Sequence, residues 1–330
     1  MFVAEISANH LGSLSRAHDL VEAAAEAGAD SVKFQTYRPE SMTLDLPNFS
    51  VTQNHSLWGG LSLFQLYKEA MTPWEWHEQL FAHATQLGLQ AFSSPFDHSA
   101  VDFLEKLGCP MYKIASLETG DIDLISYVAA QGKPMIISTG ASTLEDLQAA
   151  VTAAEPVMDQ LTLLVCTSSY PADACDAHIR RMSTLREEFA VDVGLSDHTL
   201  GIGVSVAAIA LGATVIEKHL TLRRDDGGHD SAFSLEPNEF RLLVEEGKRA
   251  HASLGNPEWS IQESEAESTR LRRSLHIAKS VKKGDLATRE NVKALRPNSG
   301  GPIGDIQKIV GKRFKRNYKA GDAATIDCVE

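Results

Sequence analysis

The feature that most constrains this chain is an alternation. Strand-like runs and helix-period stretches take turns from the first residues to about Gly255. The strand-like runs are Phe2–Ala8, Asp30–Gln35, Leu89–Ser93, Met111–Ala115, Pro134–Ser138, Leu161–Thr167, Val191–Leu195 and Ala213–Glu217. The first helix pattern puts Ala17, Leu20, Val21 and Ala24 on one face, with Ser13 or Ser15 as cap and Gly28 as stop. The last puts Phe240, Leu243, Val244 and Gly247 on one face, with Pro237 near its start and Gly255 beyond its end. Eight strand–helix units in about 250 residues predict an α/β fold, the (β/α)8 TIM barrel. An open doubly wound sheet is the alternative. It usually has fewer strands and often a glycine-rich phosphate turn after the first strand. Here that position reads Asn9-His-Leu-Gly-Ser13.

The second connection runs long, from Thr36 to about Met71, and holds Trp58-Gly-Gly and Leu63-Phe-Gln-Leu-Tyr67. Its length predicts a lid or binding loop. Thr72 is expected to cap the next helix with Pro73 at its first position. Residues 1–255 thus form the barrel, 256–272 a polar linker, and 273–330 a small β-rich domain. In that tail Gly284-Asp-Leu-Ala-Thr288 echoes Gly321-Asp-Ala-Ala-Thr325.

Composition excludes several classes. The chain is 43% hydrophobic and 23% charged, as globular proteins are. No apolar run reaches the roughly 18 residues of a membrane span. The start reads as a strand and lacks the basic segment and cleavage site of a secretion signal. The cysteines Cys109, Cys166, Cys175 and Cys328 have no paired spacing. Reduced thiols in the cytoplasm are the expectation. A net charge of −13 argues against a general nucleic-acid binder. From Arg270 onward there are 15 Lys and Arg against 6 Asp and Glu, net +9, which leaves −22 on the rest. A basic tail beside an acidic body could bind RNA or dock onto that body, in cis or in trans, and docking is the expectation carried forward.

In a barrel, alternate strand residues face inward. In Ser31-Val-Lys-Phe-Gln-Thr36, Val32 and Phe34 face the helices, so Lys33 and Gln35 point inward. Met111-Tyr-Lys-Ile-Ala-Ser116 repeats this with Lys113, and Ser116 and Glu118 follow. An inward lysine is costly unless it meets an anion or a core carboxylate such as Glu5. The other strands end in Ser93-Ser94, Ser138-Thr-Gly140, Thr167-Ser-Ser-Tyr170, Ser196-Asp-His198 and Glu217-Lys-His219. A lone histidine is more often structural than a ligand. His198 and His219, however, close neighbouring parallel strands, where α/β enzymes place their chemistry. Together they predict an open divalent-metal site, with Mn²⁺ or Mg²⁺ completed by water and substrate. The lysines and hydroxyls beside it predict a pocket for a phosphorylated anion. His10, His98 and His229 stand apart from this pair, and His18, His77, His178 and His251 read as ordinary helix or surface residues.

These segments, with Ala4-Glu-Ile, Phe92-Ser-Ser-Pro-Phe96 and Gly194-Leu-Ser-Asp-His-Thr199, resemble the sialic acid synthase family nearly end to end. The tail, with Arg272-Arg-Ser-Leu275, Lys283-Gly-Asp285 and Arg296-Pro297, resembles that family's antifreeze-like (SAF) domain. Leu66-Tyr-Lys-Glu-Ala70, Thr72-Pro-Trp-Glu-Trp-His77 and Gly227 to Pro237 are similar to the branch using 2,4-diacetamido-trideoxyhexoses. N-acetylmannosamine or a related hexosamine is the alternative substrate. Leu11, Ser168 and His229 depart from residues common in the family, Asn, Asn and Pro in turn.

The resemblance implies condensation of phosphoenolpyruvate with an open-chain acetamido sugar, giving a nine-carbon 2-keto acid and phosphate. It implies His198 and His219 as ligands of Mn²⁺, with Mg²⁺ or Co²⁺ as substitutes. Lys33, Ser94, Lys113, Ser116, Ser138, Ser168 and Ser196 would hold phosphoenolpyruvate. Gln35, Tyr170 and Asp230 would contact the sugar, with Glu5 a further contact. Arg296 would reach the partner's site in a domain-swapped homodimer. Glu118, or water on the metal, would serve as base. A non-catalytic carbohydrate- or anion-binding protein on the same fold is one rival. An aldolase-type lyase is another, but it needs a Schiff-base lysine, and hydroxyl-rich surroundings suit phosphate better.

Overall fold

The structure, a computed structural model, describes residues 1–52 and 57–330. Strands β1 (Phe2–Glu5), β2 (Ser31–Thr36), β3 (Gln90–Pro95), β4 (Tyr112–Ile114), β5 (Met135–Ser138), β6 (Leu161–Cys166), β7 (Asp192–Asp197) and β8 (Ile216–His219) pair in sequence order. All pairings are parallel, and β8 returns to β1, so the sheet closes into the expected barrel rather than an open sheet. Its outer helices are α1 (Leu14–Glu26), α2 (His77–Gln86), α3 (His98–Leu107), α4 (Ile122–Ala129), α5 (Leu144–Ala153), α6 (Arg181–Phe189), α7 (Gly203–Ala210) and α8 (Pro237–Ser253). The core lies between strands and helices: Val32 and Phe34 of β2 are buried there with Leu20 of α1 and Phe81 of α2. Ser13 caps α1 by accepting from the Arg16 N–H, and Gly28 takes a positive φ of 83° just past its end.

Three expectations shift. The first strand stops at Glu5, and Ser7–His10 form a 3₁₀ turn instead. Side-chain bonds hold that turn: Ser7 donates to Asp230, and the Asn9 amide donates to the Leu220 carbonyl and to Ser234. The last strand begins at Ile216 and continues through His219, because β1 pairs with it as far as Glu5 with His219. Thr72 caps nothing. Its hydroxyl is buried with no partner among the described residues, Pro73 takes ψ 132°, and a 3₁₀ turn at Trp74–Trp76 delays α2 to His77. The long second connection holds helical segments Pro39–Met42 and Leu63–Ala70.

Met1–Gly255 and Asn256–Glu330 are separate compact units. The second pairs β9 (Ser274–Ile277) antiparallel with β10 (Val292–Leu295) and has its own core, including Leu275, Ile277, Val281 and Phe314. The sequence echo is a repeated turn. Asp285 accepts the Lys282 N–H and Asp322 the Lys319 N–H, with Gly284 and Gly321 at positive φ of 87° and 97°.

Candidate active site at the carboxyl ends of the strands

The barrel mouth is built on buried charge. Lys33 lies 2.7 Å from Glu5 and 3.4 Å from Glu217, and donates to Ser94 at 3.3 Å. Lys113 lies 4.0 Å from Glu217 and donates only to the Ile114 carbonyl among the described residues. Ser196 donates to Glu217, and Gln35 to Glu5. Both lysine side chains are at most 4% exposed. Burial lowers the Lys33 pKa, but Glu217 and Glu5 outweigh it and hold the ammonium. Burial dominates at Lys113 and carries it below its ordinary range, with Glu217 opposing. Lys113 is thus the lysine less neutralised by protein, and an incoming anion is its natural counter-charge. In the sequence Glu217 stands out only as part of the strand end Glu217-Lys-His219. It is the carboxylate that joins the two lysines, and strand alternation had already turned it inward.

The hydroxyls converge one layer on. Gly140 donates its N–H to Ser116 at 3.1 Å, and a Cβ there would stand 2.3 Å from Ser168 Oγ and 2.8 Å from Ser116 Oγ. The Ser138 and Ser168 hydroxyls are buried with no partner among the described residues. Such orphaned donors beside two lysines match the oxygens of a phosphate or carboxylate.

The two imidazoles come together with ring centroids 5.3 Å apart. His198 Nδ1 is 3.0 Å from the Thr167 carbonyl, which can only accept, so this nitrogen carries the proton and leaves Nε2 as a ligand atom. His219 Nδ1 is buried with no hydrogen-bond partner among the described residues, 4.0 Å from Asp230. Burial, then the charges of His198 and the lysines, hold His219 well below the usual range, which keeps it neutral and able to ligate. At His198 burial lowers the pKa but Cys166 outweighs it, so a bound cation would displace a proton there. Among the described residues no group of three or more His, Cys, Asp or Glu forms a cage. The donor set therefore fits a divalent ion completed by non-protein ligands, and not a closed structural zinc site.

Above these groups Gln35, Tyr37, Tyr67, Glu118, Tyr170 and Asp230 face a cavity of about 500 Å³, with Leu66 and Phe96 on its wall. Tyr170 packs against His198, Phe233 and Trp58. Burial pushes Asp230 up to about 6 and Glu118 up to about 7. The wall comes largely from the long second connection. His229 also lines the cavity, 3.1 Å from Glu69, and Trp58 donates to its carbonyl. His98 lies away from the site, against Asp123 and Tyr127. His77, read as a helix or surface residue, opens α2 and is fully buried, bonding Thr36 at 2.8 Å. Arg296 directly follows β10 in the second unit.

A barrel with lysines, hydroxyls and paired histidines at its strand ends is the framework of an enzyme acting on a phosphorylated anion. The NeuB family model matches residues 20–258 and the SAF domain model residues 272–330. The chain belongs to the NeuB family. It is 42% identical to the pseudaminic acid synthase of Helicobacter pylori over 99% of this chain and 97% of that one. It is 35% identical to the N,N'-diacetyllegionaminic acid synthase of Legionella pneumophila, covering 99% and 94%. Among solved structures it resembles the N-acetylneuraminic acid synthetase of Leptospira borgpetersenii in complex with citrate, at 31% identity and TM-score 0.73, over 81% of this chain and 89% of that one.

Proposed function

We propose that the chain acts as a pseudaminic acid synthase. It condenses phosphoenolpyruvate with 2,4-diacetamido-2,4,6-trideoxy-L-altrose to a nine-carbon 2-keto acid and phosphate. The observation that carries the chemistry is the pair of buried lysines, bridged by Glu217 and set beside unpartnered serine hydroxyls and two imidazoles. The choice of sugar rests on the likeness to the Helicobacter enzyme.

Lys33 and Lys113 would balance the phosphate and carboxylate charge, with Ser94, Ser116, Ser138, Ser168 and Ser196 as donors. Gln35, Tyr170, Asp230 and Glu5 would orient the sugar. His198 and His219 would hold a divalent cation, Mn²⁺ by preference, with Mg²⁺ or Co²⁺ as substitutes. Such an ion supplies Lewis-acid polarisation of the sugar aldehyde. The C2–C3 π pair of the enol phosphate forms the bond from C3 to the aldehyde carbon, the carbonyl π pair moves onto its oxygen, and C2 becomes electron-poor. Water adds at C2 and gives its proton to Glu118, whose raised pKa suits a base near neutrality. The bond from C2 to the bridging phosphate oxygen breaks as the C2 hydroxyl gives its proton to the departing phosphate, the ketone forms, and the proton taken by Glu118 ends on the former aldehyde oxygen as a hydroxyl. The lysines keep the anion fixed throughout, so charge moves inside a preorganised field.

The basic tail fits a partner's acidic barrel, so the working unit is a domain-swapped homodimer with Arg296 completing the neighbour's sugar site. The free cysteines suit the cytoplasm. The test is phosphate release from phosphoenolpyruvate with the trideoxy sugar, its legionaminate-type isomer and N-acetylmannosamine in parallel. Fastest turnover with the trideoxy-altrose isomer is expected. Preference for N-acetylmannosamine would refute the sugar assignment, and no release with any sugar would refute the synthase.

A further inference from the structure

The carboxyl ends of β7 and β8 carry a second charged pair on the side facing away from the pocket. Asp197 and Lys218 occupy paired register positions on the two strands, and each directly precedes one of the two histidines. Alternation turns both outward, toward α7. Their charged atoms are 2.8 Å apart, with side chains 1% and 0% exposed. Neither lines the catalytic cavity described above.

The bonds around this pair enclose the histidine backbone. Asp197 Oδ1 accepts the Thr199 N–H at 2.8 Å and the Thr199 hydroxyl at 2.7 Å, which closes a tight turn over residue 198. Asp197 Oδ2 accepts from Ser205 of α7 at 2.5 Å. Lys218 donates to the Thr199 carbonyl at 2.5 Å. The residue before His219 thus grips the residues on both sides of His198. Beyond this clamp, the His198 carbonyl accepts the Ala172 N–H. The His198 ring has a carbonyl to orient it, but His219 Nδ1 has no hydrogen-bond partner among the described residues. The His219 ring rests on packing against Phe233 and His198, and Lys218, one residue before it, ties that end of β8 to the turn that carries His198. A buried ion pair is weak evidence of stability, because apolar residues of equal volume often do as well. What it fixes well is geometry.

We propose that Asp197 and Lys218 are positioning residues that lock β7 to β8 and so set the separation and aim of His198 and His219 for a divalent cation. The pair touches neither substrate nor metal. The inference rests on the reading of those histidines as metal ligands.

The experiment titrates Mn²⁺ into the purified full-length protein without substrate and follows free Mn²⁺ by electron paramagnetic resonance. The variants are Lys218→Met, the neutral pair Asp197→Asn/Lys218→Met, and Thr199→Val/Ser205→Ala, which keeps both charges and removes two donors. Lys133→Met, which breaks an ion pair with Glu105 away from the site, is the stability control. Altering groups that orient metal ligands typically weakens binding by about 10–100-fold. Mn²⁺ affinity should fall at least about tenfold in the neutral pair and about threefold in Thr199→Val/Ser205→Ala, with the affinity for phosphoenolpyruvate little changed. Lys133→Met should bind Mn²⁺ normally at a comparable loss of melting temperature. If Lys218→Met or the neutral pair does not fold, Thr199→Val/Ser205→Ala decides. Wild-type Mn²⁺ affinity in folded variants overturns the proposal, as does loss of both ligands in proportion to melting temperature. Mn²⁺ binding that survives His198→Ala/His219→Ala would instead overturn the metal reading itself.

Discussion

Glu118→Gln separates two consequences of one buried carboxyl. Burial raises Glu118 from its ordinary 4.5 to about 7, while Lys113 pulls the other way and does not win. A change of that size corresponds to roughly 3 kcal/mol at about 1.4 kcal/mol per tenfold. The side chain is partly exposed, and solvent screening reduces the expected effect to about 1–2 kcal/mol. The sign follows from proton binding. Between pH 4.5 and 7 the folded state keeps a proton that the unfolded state has released, so stability from this group falls as pH rises through that window. Above pH 7 the deficit is complete. Glutamine cannot ionise, so Glu118→Gln should be more stable than the parent by about 1–2 kcal/mol at pH 8 and little different at pH 4. Activity should move oppositely. The parent's kcat/KM should fall as pH drops below about 7, because the base becomes protonated. The variant should lose that limb and about 10²–10⁴ in rate. Urea midpoints at pH 4 and 8, with phosphate release from pH 5 to 9, measure both. An unchanged acidic limb in Glu118→Gln would refute the assignment of the base. Equal stability offsets at the two pH values would refute the burial argument.

Three further outcomes follow from the same geometry. Lys113→Ala should weaken phosphoenolpyruvate use by about tenfold to a hundredfold, seen in its KM or in kcat, with a smaller effect on the sugar KM; a change confined to the sugar would contradict the anion role. Gly140→Ala places a Cβ within 2.3 Å of Ser168 Oγ and 2.8 Å of Ser116 Oγ, so both hydroxyls must swing away. The KM for phosphoenolpyruvate should rise about tenfold with little change in melting temperature, and a wild-type KM would show that these hydroxyls do not serve the anion. Mixed Arg296→Ala and His198→Ala chains should regain activity after subunit exchange, since one site in each heterodimer receives both intact parts. No recovery despite demonstrated exchange would mean that the tail acts in cis.

Much of this protein was legible in its sequence because barrels obey two simple periods. Helix spacing in Ala17, Leu20, Val21 and Ala24 and strand alternation around Lys33 follow from backbone geometry, and both hold in the structure. The inward lysines and the histidine-bearing strand ends could therefore be named one strand at a time. Strand ends were less legible. β1 stops at Glu5 because Ser7 and Asn9 bond to residues more than 200 positions away, and β8 runs on to His219 because β1 pairs with it there. Thr72 looked like a cap, but Pro73 leaves the chain extended.

What the sequence determined by itself was the order of strands and the face each side chain takes, since these are local properties of the backbone. What only the tertiary structure decided was partnership. Barrel closure brings Lys33 of β2, Lys113 of β4 and Glu217 of β8 to one point, and it sets Asp197 against Lys218 behind the histidines. The physical reason is that burial makes a charge depend on its nearest counter-charge, and that neighbour is chosen by closure and register across the whole ring of strands.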